Sequence, residues 1–106
     1  MITGTVVSQG KYADGKDICE LYISAASSST LPHKYRQRMP ILIKIGNIRY
    51  EAGVHETQKG VVWISSVLKG PRRDKARLVD SLADIDIRVG DAIRIKTNTD
   101  GTFLLQ

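Results

Sequence analysis

Apolar and polar residues alternate along most of this chain, and the repeat is mostly two. Ile2 to Val7, ITGTVV, is rich in β-branched residues and reads as a first strand. The ten residues from Ser8 to Asp17, SQGKYADGKD, form a polar, glycine-containing excursion that must be exposed. In ICELYIS, Cys19, Leu21 and Ile23 share one wholly apolar face, which predicts a strand with that face on the core. Ile41, Ile43 and Ile45 alternate with Leu42 and Lys44. Gly46 and Asn47 then supply the positive-φ residues of a two-residue hairpin turn, and Ile48 to Glu51 returns as the partner strand with Ile48 and Tyr50 on one face. VVWISSVL, from Val61 to Leu68, reads as one further strand. The last two, around Ile93 and Ile95 and over Thr102 to Gln106, are joined by a turn at Asn98 to Gly101.

The period changes once. Leu78, Val79, Leu82 and Ile85 follow helical spacing, with Asp74 as a candidate cap. Residues 32–38, bounded by Pro32 and Pro40, are expected to form one or two helical turns starting from Thr30 as a cap. The sum is seven strands and one or two short helices, a mainly β (α+β) domain. Such a set closes into a small barrel because closure removes exposed edges.

A chain of 106 residues fits one domain, spanning residues 1–106. No apolar run approaches the roughly 20 residues of a membrane span, and the first residues lack a basic region followed by an apolar one, so a cytoplasmic, non-membrane protein is expected. Cys19 is the single cysteine, so no internal disulfide can form, and it is expected as a reduced, half-buried thiol. His33 and His55 stand apart from each other and from Cys19. There is no phosphate-binding glycine loop, no metal-ligand spacing, and no partnered base for Ser27 to Ser29. Catalysis by this chain, a metal, a cofactor and a small-molecule substrate are therefore not expected.

The net charge is +5, which favours polyanionic partners. Two segments, His33 to Arg38 and Lys69 to Arg77, carry eight of the sixteen lysines and arginines. Each segment alone would be an ordinary solvated patch.

Three segments in order carry a resemblance. They are the polar loop leading to LYIS (Leu21 to Ser24), ILIKIGNIRYEAGVHETQKGVVWISS (Ile41 to Ser66), and RLVDSLADIDIRVGDAIRIK (Arg77 to Lys96). Together they resemble the DNA-binding pseudobarrel superfamily, which includes the plant B-three-type transcription-factor domains and the recognition domains of restriction endonucleases such as EcoRII and BfiI. Ser24 stands where proline is common in that family. The resemblance implies a seven-stranded open pseudobarrel that binds double-stranded DNA sequence-specifically. It implies the recognition domain of a prokaryotic endonuclease, with cleavage done by a nuclease domain outside this chain.

The resemblance also implies two loop arms in the major groove, Ser8 to Asp17 and His55 to Lys59. On the first arm Gln9, Lys11, Tyr12, Asp14 and Lys16 are the candidate contacts; on the second, His55, Glu56, Thr57, Gln58 and Lys59. Gln9 and Gln58 suit adenine. Lys11, Lys16 and Lys59 suit guanine or phosphate, and Asp14 and Glu56 suit the cytosine amino group. Lys34, Arg36, Arg38, Lys69, Arg72 and Arg73 are expected at flanking phosphates. Arg77 is expected to be structural, while Arg49, Arg88 and Arg94 fit either class. The alternative is a small basic barrel that binds RNA, single strands or a protein partner. A single-strand binder would stack bases on exposed aromatics such as Tyr12, Tyr35 or Trp63.

Overall fold

The alternating apolar positions become the inside of a barrel. The computed structural model describes residues 1–106. Its strands are β1 (Ile2–Lys11), β2 (Asp17–Ile23), β3 (Met39–Ile45), β4 (Ile48–Glu56), β5 (Val62–Ile64), β6 (Val67–Lys69), β7 (Lys75–Arg77), β8 (Ala92–Thr97) and β9 (Phe103–Leu105); α1 (Leu78–Ala83) lies between β7 and β8. Seven of them run in the order β3-β9-β8-β1-β2-β5-β4, and β4 pairs with β3 to complete the ring. The barrel is closed, as the strand set alone suggests, and not open as the resemblance implies. The closing contact is parallel pairing of β3 with β9, Ile43 opposite Phe103 and Ile45 opposite Leu105. The other two strands, β6 and β7, form a hairpin hung on β4 through Glu51 and Lys69.

The core follows the predicted faces. Cys19, Leu21 and Ile23 of β2 and Ile41, Ile43 and Ile45 of β3 are all buried, as are Ile93 and Ile95 of β8. Full burial of such an aliphatic side chain is worth about 1.5–3 kcal/mol, so each of these isoleucines contributes substantially to the stability. Gly4 lets β1 close on β2, because a Cβ there would lie 2.4 Å from the Tyr22 carbonyl oxygen. The β3–β4 turn is the expected two-residue one, with Ile45 opposite Ile48, but only Gly46 takes a positive φ, at 63°.

Several expectations are corrected. Val61 to Leu68 is not one strand. Ser65 donates its amide to the Gly53 carbonyl and the Ser66 carbonyl accepts from Leu78, which breaks the ladder between β5 and β6. Residues 32–38 form no helix: a tight turn pairs Lys34 with Gln37, with Arg36 at φ 61°. Thr30 instead ends a 3-10 turn over Ser28–Thr30. Asp74 does not cap α1, whose cap position is Arg77 with no side-chain bond. Asp74 closes the β6–β7 turn, where its carbonyl accepts from the Gly70 amide. Leu78 and Leu82 do seat α1 in the core as the helical spacing predicted. No helix is long and apolar enough to cross a membrane.

Candidate nucleic-acid interface

The first predicted arm is more strand than loop. β1 runs on to Lys11 and β2 starts at Asp17, with an irregular step between Ser8 and Lys11, so only residues 12–16 turn. The tip is tied down. Lys16 Nζ donates to Asp80 Oδ1 at 2.8 Å, and Arg77 Nη1 donates to Asp14 Oδ2 at 2.8 Å. The Arg77 guanidinium also lies over the Tyr12 ring, 3.8 Å from its centre. Three of the five candidate contacts on this arm, Tyr12, Asp14 and Lys16, are thus held by the β7–α1 junction. Arg77 has the structural role expected of it. The amide of Lys16 and then the Arg77 side chain hold the Asp14 carboxyl below its ordinary range, while Asp80 holds the Lys16 ammonium above its own. Lys11 pairs with Asp17 at 3.3 Å and stays largely exposed.

The second arm is a hairpin with a different balance. His55 pairs with Trp63 and Glu56 with Val62, and the Thr57 and Gly60 backbones close the turn. Glu56 turns to the barrel rim, where its Oε1 shares a 2.7 Å hydrogen bond with His33 Nδ1, and Thr57 Oγ1 accepts from the Val61 amide. Gln58 and Lys59 are exposed at the tip, and neither side chain has a protein partner.

Between the tips lies an outward face that sequence reasoning did not assemble. Tyr22 of β2 is directly opposite Trp63 of β5, which is opposite His55 of β4. The His55 and Trp63 rings stack, with centres 4.4 Å apart and planes within 18°. Gln9 Nε2 donates to the Tyr22 hydroxyl at 3.0 Å. Arg38 lies over Gly53, the outward position before His55, and pairs with Glu51 at 3.2 Å. Tyr50, the other aromatic within these strands, is core. Burial and then the Arg38 charge hold the His55 ring below its ordinary range, which favours its neutral form. Glu20 lies in the middle of β2, and burial holds its carboxyl above its ordinary range. Tyr22 had a signal available: it is the exposed aromatic in an otherwise inward-apolar strand.

The register sets the spacing. β2 starts at the first tip, and its far end lies beside the start of β5 at the second, so the tips project from opposite ends of the barrel. The six residue steps from Asp17 to Ile23, at about 3.3 Å each, put about 20 Å between the bases of the two tips, which project beyond that span. Lys34, Lys69, Arg72 and Arg73, expected at phosphates, form no ion pair; Arg36 lies over the Tyr35 ring at 5.3 Å. No group of three or more His, Cys, Asp or Glu side chains gathers where it could hold a metal ion.

The fold and this surface define a closed seven-stranded β-barrel with a partly aromatic outer face. Compared with protein-family models, with curated proteins and with solved structures, the chain matches none.

Proposed function

We propose that this protein binds double-stranded DNA sequence-specifically across the outer face of β1, β2, β5 and β4. The observation that carries this reading is the contrast between the tips that bracket the face. One is built as a rigid wall, and the other offers Gln58 and Lys59, a bidentate amide and a cation with no competing partner. A major groove is about 12 Å wide and 8.5 Å deep. Hairpins rooted about 20 Å apart and projecting from opposite ends therefore straddle the groove rather than share its floor. Base reading falls to Gln58 and Lys59, and the first tip sets the register. On this reading the chain needs no metal or cofactor to bind. It acts as a recognition domain of the restriction-endonuclease type, with cleavage done outside it.

Selection of sites from a randomised duplex library at physiological salt tests this. A short enriched motif is expected, and retention without enrichment would overturn direct readout. A second reading has its own observation: the Tyr22, Trp63 and His55 row is a place for single-stranded bases to stack, which is sequence-tolerant and worth about 1–3 kcal/mol per base. Competition by single strands as strong as by duplex would favour it.

A further inference from the structure

A second feature of the outer surface lies beyond the aromatic face. A cleft of about 340 Å³ opens between β4 and the β6–β7 hairpin, and its lining includes Leu42, Arg49, Glu51, Lys69 and Arg73. We infer that this cleft binds a phosphate group, with Arg49, Lys69 and Arg73 as the ligating cations. The inference rests on the proposed DNA binding for the source of that phosphate, though not for the site itself.

The cations are placed at a cost. Lys44 stands directly opposite Arg49 across β3–β4, and Lys69 directly opposite Lys75 across β6–β7. Like charges directly opposite in a ladder destabilise it. None of Lys44, Arg49, Lys69, Arg73 and Lys75 has an acidic partner within ion-pair distance. The one carboxylate in the lining, Glu51, is engaged by Arg38. Asp100 is close enough to Arg49 for its acidity to be affected, but the two form no ion pair. A phosphate in the cleft would turn this repulsion into charge-assisted hydrogen bonding, which arginine forks suit well.

The backbone is also committed to the arrangement. Arg73 sits in the left-handed region at φ 63°, a conformation that non-glycine residues hold only where the surroundings over-determine it. Here they do. Gly70 bonds to the Asp74 carbonyl, Arg73 donates its amide to the Gly70 carbonyl, and the Asp74 carboxylate packs where a Gly70 Cβ would be. The turn that strains Arg73 also places it in the lining of the cleft. Arg49 and His55 are six steps apart on the same outward side of β4, about 20 Å at 3.3 Å per residue. A phosphate held here would fix the direction in which a nucleic acid lies along that strand.

Two measurements on the whole chain test the site. First, inorganic phosphate is titrated against chloride at matched ionic strength, with backbone and arginine side-chain resonances followed by NMR. Saturable shifts confined to Arg49, Lys69, Gly70 and Arg73 are expected. They should weaken at least tenfold in Arg73→Gly, which relieves the strained backbone and so keeps the fold, and stay unchanged in Arg88→Ala. Weak, non-saturating shifts at every surface cation would overturn the inference. Second, duplex affinity is measured against salt for wild type, Arg49→Ala and Arg73→Gly. A fall of about one in the slope for each variant identifies a backbone phosphate as the occupant. Saturable phosphate binding with unchanged slopes identifies the free anion as the ligand. If no duplex binds at all while phosphate still saturates the cleft, the DNA reading fails and the site stands.

Discussion

The two hairpin tips have nearly the same composition and opposite fates. Each mixes lysine, a carboxylate, a hydrogen-bonding side chain and a glycine. At the first, Asp14, Lys16 and Tyr12 are consumed by Arg77 and Asp80. At the second, Glu56 and Thr57 are consumed, and the two most projecting residues, Gln58 and Lys59, are left over. Composition marks both as polar and exposed. Only the neighbours decide which side chains remain available to a partner. A recognition surface is defined by its unspent groups, and these are found by subtraction.

The comparison breaks most readily at the second tip. Gln58→Ala and Lys59→Ala should each weaken specific duplex binding by about 1–3 kcal/mol and relax preference at one base pair, read by site selection with each variant. Lys11→Ala, at the tied tip, should change affinity less than about threefold at the same salt. Equal losses at both tips would mean that the first is a reading arm after all. Next comes Arg77→Ala, which removes an ion pair and a cation–π contact together. Amide exchange at residues 12–16 should rise severalfold while exchange at 57–61 stays as it was. If the first tip remained protected, the ties would not be what holds it.

A smaller effect concerns His55. Its folded-state pKa lies below the unfolded one, through burial and then Arg38, so the unfolded chain takes up a proton first as pH falls. The stabilisation is fully present above the ordinary value of about 6.5 and is lost as pH drops through the folded value. The urea midpoint should therefore fall more between pH 7 and pH 5 in wild type than in His55→Gln. Parallel slopes would place the ring in water. The smallest effect is at the acid end. Asp14, Asp17 and Asp100 all titrate below their ordinary range, so what they contribute is present above about pH 4 and disappears below it. Asp17→Asn, which keeps an acceptor for Ser8 but loses the titrating charge paired with Lys11, should flatten that limb slightly in the same assay.

Period-two alternation was enough to read most of the strands and the inward faces of β2, β3 and β8, because one buried face fixes the register. That the strands would close was an expectation, but which pair closes the ring was not legible. A parallel contact between Ile43 and Phe103 carries no local signature, whereas the Gly46 turn does. The break at Ser65 and Ser66 was hidden inside an apolar run whose propensity is continuous. VVWI is apolar on both faces, so alternation could not tell that Trp63 points outward and Val62 inward. The ties at the first tip join residues 63 and 64 positions apart, and any one of many cations could have served. The left-handed turn at Arg73 was equally silent, since the sequence offers Gly70 and Pro71 as its only punctuation.

The pairing of β3 with β9 also has a consequence in time. The ring cannot shut until Phe103 to Leu105 have left the ribosome. Until then β3 and β8 each present an unpaired row of amides and carbonyls, the kind of edge on which chains stick to one another. Closure is a long-range step, the slow kind, and it comes last. A nascent or clipped chain lacking those three residues would keep its hairpins and much of its core. It would also be a strand acceptor, open to any extended peptide that could take the place of β9.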